Sequence, residues 1–157
     1  MVTAEWLKKI DLFVDLDEPQ INDVLSHSTV ESFSEGKVIF QEGEKAGHLY
    51  VLLQGAIDLT VKTQEKIGIL TSQIQKEGTV FGLPCLIEPY HYNVTAKCLI
   101  PSKVLKIDAD HLKESMEQDP RAGMAIMKRL ASVYFNRLND LRKGVVKFFE
   151  HFRVKIP

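Results

Sequence analysis

The chain has 157 residues, of which 45% are hydrophobic and 26% charged, and its formal net charge is −1. This length suits a single domain, residues 1–157, with one buried core, and the composition is that of an ordinary globular protein. No apolar run approaches the roughly 20 residues that span a bilayer, and the first residues lack the long uncharged core of a signal peptide, so we expect a cytoplasmic protein without a membrane segment.

The cysteine content and the charge distribution further narrow the class of protein to which the chain can belong. Cys85 and Cys98 are too few for a disulfide framework or a cysteine-only metal cluster, so we expect both to be small buried residues. Residues 121–157 contain nine Lys or Arg and two acidic residues, a net charge of +7 that leaves −8 for the remainder. Such a segment is more often a solvated helix face, or a match to an acidic body, than a nucleic-acid surface.

The N-terminal region, residues 4–28, is predicted to contain two short helices. Apolar residues recur at near-helical spacing between Ala4 and Leu16, which indicates a first helix. Asp17 precedes Glu18 and Pro19, a sequence typical of an N-cap followed by the first turn of a second helix. We expect that helix to end within residues 26–28.

Between residues 29 and 108 the apolar pattern changes to that of strands. Short runs rich in β-branched and aromatic residues alternate with turn residues, and Gly36, Gly43, Gly47 and Gly55 divide the most regular part. No βαβ repeat is visible. The pattern therefore predicts a mainly β fold with flanking helices, in which an antiparallel β-roll or jelly roll occupies residues 29–108.

A long helix is predicted over residues 119–153, because Asp119 is a typical N-cap and Pro120 a typical first helical residue. One apolar stripe, Ile126, Leu130 and Val133, occupies only its first half. A second row continues outward in steps of three and four. The residues of this predicted dimer helix are Met127, Tyr134, Leu138, Leu141, Val145 and Phe148.

The two stripes give the halves of this helix different expected partners. The first half can pack on the β-roll, whereas the apolar row of the second half would be an unusually large exposed surface in a monomer. We therefore predict a parallel homodimer through the C-terminal helix. Gly144 interrupts the pattern, which leaves open that the end of the helix folds back onto its own domain.

The order of residues from Phe33 to Gly55 resembles the opening strands of the cyclic nucleotide-binding domain family. The resemblance covers the β-roll and extends more weakly over most of the chain. The family includes the sensor half of catabolite-activator-type regulators, regulatory subunits of kinases and some ion channels. The resemblance implies a regulatory domain with a small-molecule effector that signals through a C-terminal dimer helix. It also implies that residues 78–96 take the place of the phosphate-binding cassette.

The cassette departs from the family pattern at two positions. The family's Phe-Gly-Glu, whose Glu binds the ribose hydroxyl, reads Phe81-Gly82-Leu83 here, and its Arg-Ser-Ala-Thr aligns with residues 92–95. Losing the arginine forfeits a charge-assisted phosphate contact of about 1.5–3 kcal/mol. We therefore expect a degenerate cassette that does not bind cyclic AMP in the standard way. The predicted ligand-binding residues are Phe81, Gly82, Leu83, Pro84, Cys85, Tyr92, Asn93, Val94 and Thr95.

Three functional interpretations remain open: a sensor for a different small ligand, a haem or gas sensor, and a dimeric interaction module without a ligand. The histidines available to a haem sensor are His27, His48, His91, His111 and His151. No Ser-His-Asp or paired-carboxylate arrangement is visible, so we expect no enzyme activity. We also expect no metal site and, because no helix-turn-helix follows the long helix, no DNA-binding motif in this chain.

Overall fold

The computed structural model describes residues 2–152, apart from the side chain of Leu70. Four α-helices, eight strands and two 3-10 turns follow one another in these residues. In chain order they are α1 (Ala4–Lys8), a 3-10 turn (Asp11–Phe13), α2 (Glu18–Ser26), β1 (Ser28–Phe33), β2 (Val38–Phe40), β3 (His48–Gln54), β4 (Ile57–Lys62), β5 (Gly68–Ile74), β6 (Val80–Phe81), a second 3-10 turn (Leu83–Leu86), β7 (Thr95–Cys98), β8 (Ser102–Asp108), α3 (Ala109–Gln118) and α4 (Pro120–His151).

The strands form two four-stranded antiparallel sheets. One has the order β1-β8-β3-β6 and the other β2-β7-β4-β5, so neighbouring strands in space are mostly distant in the chain. Apolar side chains of both sheets meet in one core that also receives the N-terminal helices and the start of α4. This arrangement confirms the prediction of a mainly β roll with short N-terminal helices and a long C-terminal helix.

The N-terminal helices differ from the prediction in one respect. α2 begins as expected, with Asp17 and Gln20 forming a capping box. The single helix predicted between Ala4 and Leu16 is wrong, because α1 ends at Lys8 and a 3-10 turn follows. A straight helix would point Leu12 about 140° away from Leu7 at 100° per residue, whereas the break lets both enter the core.

α3 is an element that the apolar pattern did not predict. Only Ala109 and Leu112 are buried among its ten residues, so its sequence carries little periodic signal. The predicted cap at the next helix is confirmed: Asp119 accepts a hydrogen bond from the Ala122 amide at 3.3 Å, and Pro120 begins α4. α4 then continues without interruption through Gly144; residue 153 of the predicted range lies outside the described residues.

The two halves of α4 have different environments. Ile126 and Leu130 are each 1% exposed and Val133 is partly buried, so the first stripe packs on the roll as predicted. From residue 135 onward most apolar side chains of the helix are exposed. Within residues 2–152, no helix combines the length and the hydropathy that crossing a membrane would require.

Candidate ligand-binding site

The cassette begins with a turn that requires glycine. β6 ends at Phe81, and Gly82 then takes a φ of +78°, a conformation that side-chain-bearing residues rarely adopt. A Cβ atom at this position would also lie 3.1 Å from Tyr50 Cδ2 and 3.2 Å from the His48 carbonyl oxygen. The 3-10 turn that follows, Leu83–Leu86, has Pro84 in its first turn.

A cavity of about 440 Å³ lies between the cassette, the sheet β2-β7-β4-β5 and α4. Seven of the nine predicted ligand-binding residues line it: Phe81, Gly82, Leu83, Pro84, Tyr92, Asn93 and Val94. Cys85 and Thr95 are not in its lining. Cys85 is fully buried in the core, where burial raises its pKa to about 12, and the Thr95 hydroxyl accepts a hydrogen bond from the Glu42 amide at 3.0 Å.

Aromatic rings form the inner wall of the cavity. Tyr92 stacks on Phe40 with 3.8 Å between ring centroids, and Tyr50 stacks on Phe81 at 5.3 Å. The Tyr92 hydroxyl donates to the His48 carbonyl oxygen at 2.7 Å and accepts from the His48 amide at 3.1 Å. Burial raises the pKa of Tyr92 to about 12, so this wall is uncharged at neutral pH.

The two positions where the resemblance implies polar contacts hold buried, neutral side chains. Leu83, at the position of the ribose-binding Glu, is 1% exposed and belongs to the core. Tyr92, at the position of the phosphate-binding Arg, is 4% exposed and hydrogen-bonds to the backbone of β3. Within the cassette itself, therefore, neither position supplies the charge that a cyclic phosphate or a ribose hydroxyl would meet in the family pattern.

The side chain that sequence reasoning missed is Arg137, which projects from α4. It lines the cavity beside Tyr134 and Leu138, and its Nη2 donates to the Val80 carbonyl oxygen at 3.4 Å. Among the described residues that line the cavity, Arg137 alone carries a formal charge. Its presence corrects the expectation that the site has no arginine. The basic character of residues 121–157 was the available signal, but only the packing of α4 brings one cation to the cassette.

The predicted dimer helix leaves most of its apolar row exposed. Tyr134 is partly buried against the core, whereas Met127 is 39%, Leu138 43%, Val145 47% and Phe148 59% exposed. A groove of about 820 Å³ separates the distal part of α4 from β4 and β5. The predicted residues that line this groove are Leu141, Val145 and Phe148.

The described histidines do not supply a haem ligand inside the cavity. None of them is in its lining. His48 is half-buried behind Tyr92, and its pKa lies below the ordinary value because burial disfavours the imidazolium form. His91 pairs with Lys45 in an isolated β-bridge, and its Nδ1 is 2.7 Å from the Pro89 carbonyl oxygen. The arrangement of residues around this cavity does not fit a histidine-ligated haem.

Comparisons with known proteins agree with this architecture. A family model described as the cyclic nucleotide-binding domain matches residues 30–119, from β1 to the residue that caps α4. The crystal structure of a putative cyclic nucleotide-binding protein from Geobacter metallireducens is 31% identical, has a TM-score of 0.77, and covers 88% of this chain and 99% of its own length.

Two curated proteins are similar over a shorter range. The global nitrogen regulator of Nostoc sp. is 28% identical over 109 residues, which cover 66% of this chain and 47% of that protein. A cGMP-dependent protein kinase of Eimeria tenella is 30% identical over 95 residues, 59% of this chain and 9% of the kinase. The chain thus spans half or less of these curated relatives. Because the family model matches residues 30–119, more than half of the chain, this chain belongs to the cyclic nucleotide-binding domain family.

Proposed function

We propose that this chain is a regulatory ligand-sensing domain whose effector is a small anionic molecule other than cyclic AMP or cyclic GMP, and that it has no catalytic role. The observation that carries the proposal is the cavity of about 440 Å³ in which cassette residues and residues of α4 face the same space. Its volume lies within the range of small-molecule sites, and its lining is largely apolar with few polar groups.

Arg137 defines the chemistry of the proposed effector. A guanidinium group presents its donors in a fixed fork that matches a carboxylate or a phosphate. The aromatic wall and Leu83 would contact an apolar part of the same molecule. A cyclic nucleotide fits this arrangement poorly, because Leu83 offers no acceptor for its ribose hydroxyl and Tyr92 no positive charge, which leaves Arg137 as the one charged contact for its phosphate.

The proposed signal passes through α4. An effector held by both the cassette and Arg137 would favour the pose of α4 that brings them together, which is a shift between pre-existing conformations. The exposed apolar row from Leu138 to Phe148 would pair with the same helix of a second copy. In this proposal the partner of the domain is a second copy of itself, and the pose of the paired helices is the output.

The proposal is tested by calorimetric and thermal-shift titrations with cyclic AMP, cyclic GMP and a panel of small carboxylates and phosphates. We expect no micromolar binding of either cyclic nucleotide, and stabilisation by at least one panel compound. That stabilisation should be lost in Arg137→Gln and kept in the matched control Arg142→Gln, which changes an exposed arginine of the same helix outside the cavity lining. Micromolar binding of cyclic AMP or cyclic GMP would overturn the proposal.

A second candidate function is a dimeric interaction module without an effector. The observation in its favour is the contact network among Phe40, Tyr50, Phe81 and Tyr92, which fills the interior of the roll with the chain's own side chains. This candidate predicts that no panel compound changes the melting temperature and that dimerisation is independent of Arg137. The same titrations, followed by measurement of the molecular mass in solution, separate the two candidates.

A further inference from the structure

A second cavity, the α1 cavity, lies between α1, the turn at residues 76–79, the start of β6 and α4. Its volume is about 440 Å³, which falls within the range of small-molecule sites. Among the described residues, only Leu83 and Arg137 line both this cavity and the cavity beside the cassette. Because Leu83 is 1% exposed, it acts as a wall between them, and the α1 cavity is a separate space.

Two contacts fix the turn at residues 76–79 against α1. Trp6 Nε1 donates a hydrogen bond to Glu77 Oε1 at 3.0 Å. Gly78 has a φ of +86°, and a Cβ atom there would lie 3.2 Å from Ile10 Cδ1, so glycine allows the turn to approach the end of α1 closely. The turn therefore brings Lys76 to the same cavity as residues of the N-terminal region.

Much of the lining of the α1 cavity is apolar. Ile10, Leu12 and Leu83 are buried in the core, and Trp6 and Val133 are partly buried against it. These side chains can contact the apolar part of a ligand and remove it from water. The indole of Trp6 provides the largest flat surface among them.

The charged side chains of the α1 cavity have a positive excess. Its lining contains three cations, Lys9, Lys76 and Arg137, and two carboxylates, Asp11 and Glu77, so the net charge is 3 − 2 = +1. A concave surface with low-dielectric walls and one sign of charge in excess attracts ions of the opposite sign. An excess of one unit suits a monoanion better than a doubly charged phosphate.

Both carboxylates of the lining already have partners. Asp11 Oδ1 lies 3.5 Å from Arg129 Nη1, and the Glu77 carboxylate accepts the hydrogen bond from the Trp6 indole. By contrast, the two lysines form no ion pair with any carboxylate of residues 2–152. Their ammonium groups are therefore available to an anion from solution.

We propose that the α1 cavity binds a small carboxylate that carries an apolar body. The carboxylate lies near Lys9, Lys76 and Arg137, whose guanidinium group presents its donors in a fork that matches two carboxylate oxygens. The apolar body packs against Trp6 and the buried residues below it. The ligand class is thus a monocarboxylate with an acyl chain or an aromatic ring.

Arg137 connects this site with the cavity beside the cassette. Its Nη2 donates to the carbonyl oxygen of Val80 at 3.4 Å, and Val80 lines the α1 cavity but is not in the lining of the other one. A carboxylate bound in the α1 cavity would retain the guanidinium group on this side and so lower the affinity of the cassette for its effector. This consequence rests on the proposed function, whereas binding in the α1 cavity does not.

The test uses the fluorescence of Trp6, which is the single tryptophan of the chain and lines the α1 cavity. The probe is octanoate, which does not absorb where tryptophan emits, and octan-1-ol is its uncharged counterpart of equal chain length. We expect octanoate to shift the Trp6 emission in a saturable way and octan-1-ol to bind about tenfold more weakly. Added NaCl should weaken the binding of octanoate, because it screens exposed charges.

Substitution of the lysines tests the position of the carboxylate. Lys9→Gln and Lys76→Gln should each weaken octanoate binding about threefold, and the double variant about tenfold, because each exposed charge contributes modestly. Lys8→Gln is the matched control, since it removes the neighbouring exposed cation of α1, which is outside the lining. It should bind octanoate as the unaltered chain does.

Equal octanoate affinity in Lys8→Gln, Lys9→Gln and Lys76→Gln would overturn the proposal. Binding of octan-1-ol as tight as that of octanoate, or no saturable change of the Trp6 emission at millimolar octanoate, would also overturn it. All three lysines are exposed, and circular dichroism melting verifies that each variant folds. Because neither Lys9 nor Lys76 lines the cavity beside the cassette, failure of the proposed effector site would leave these results unchanged.

Discussion

At the scale of single residues, Tyr92 shows how this chain departs from its family while keeping the fold. The resemblance aligns this position with an arginine of the family pattern, and here a tyrosine ring stacks on Phe40 while its hydroxyl bridges both backbone groups of His48. The residue therefore contributes to packing and to the hydrogen-bonding of β3. Its role in this structure is to hold packing and backbone together.

This role predicts the effect of removing the Tyr92 hydroxyl. Tyr92→Phe keeps the ring but leaves the amide and carbonyl of His48 without this partner, so the free energy of unfolding should fall by about 1–3 kcal/mol. Urea denaturation measures the change. Tyr90→Phe is the matched control, because it removes the same hydroxyl and keeps a ring whose contact, with Lys113 Nζ at 4.0 Å, is made by the ring face. It should change stability by less than about 0.5 kcal/mol. Equal effects of both substitutions would contradict the prediction.

His48 predicts a pH dependence of stability. Its pKa lies below 6.5 because of burial first and the charge of Lys106 second, while Asp108, Glu31 and Asp110 act in the opposite direction. Between pH 6.5 and the lower pKa of the folded state, the unfolded chain binds a proton at His48 more readily than the folded chain does. The contribution of neutral His48 to the free energy of unfolding is therefore complete above pH 6.5, and it is lost as the pH falls towards the folded pKa.

The contribution of His48 is measured by comparing unfolding of the unaltered chain and His48→Gln between about pH 7.5 and pH 5. The difference in unfolding free energy should shift in favour of His48→Gln as the pH is lowered. His91→Gln controls for the loss of a histidine as such. A difference that does not change with pH would show that burial of His48 does not affect its protonation in solution.

At the scale of elements, two glycines of α4 have opposite roles. Gly123 lies where α4 crosses α3, and a Cβ there would be 2.6 Å from the Met116 carbonyl oxygen. Gly144 lies in the exposed half, and a Cβ there would meet nothing within 4 Å. The first glycine permits close contact of two helices, whereas the second only lowers the helix propensity of the distal half.

The two glycines therefore provide a matched pair of substitutions. Gly123→Ala should lower the free energy of unfolding by about 1–3 kcal/mol, because backbone must move to accommodate the methyl group. Gly144→Ala should raise the stability of the helix by about 1 kcal/mol. Urea denaturation and the helical circular dichroism signal measure both effects. Destabilisation by Gly144→Ala would indicate that the distal half of α4 requires a break at this residue.

At the scale of the whole molecule, the exposed row on the distal half of α4 predicts self-association. Val145→Glu places a charge in this row and should convert a dimer to a monomer, as measured by sedimentation velocity, because a buried unpaired carboxylate is costly at a helix interface. Lys143→Glu is the control. It introduces a glutamate at an exposed position about 160° around the helix from Val145, so it should leave the dimer intact. A monomeric unaltered chain at all concentrations would contradict the prediction.

Sequence patterns predicted local features of this fold better than tertiary ones. The starts of α2 and α4 could be predicted from the sequence, because the capping contacts of Asp17 and Asp119 and the position of Pro120 involve only one helical turn. α3 was missed because few of its residues are buried. Arg137 was missed because the cavity is closed by a helix that follows the cassette by some 40 positions in the sequence, and the contact between them depends on how α4 packs on the roll.

Asp119 also constrains how the long helix can move. Its Oδ2 accepts a hydrogen bond from Gln20 Nε2 at 2.7 Å, while Arg129 Nε donates to Asp15 at 2.8 Å, so the first three turns are fastened to the N-terminal region. Beyond Leu130 the helix extends roughly 30 Å, at about 1.5 Å per residue. The distal part of the helix can therefore pivot about these fastened turns, and a tilt of about 5° there displaces the far end by about 3 Å.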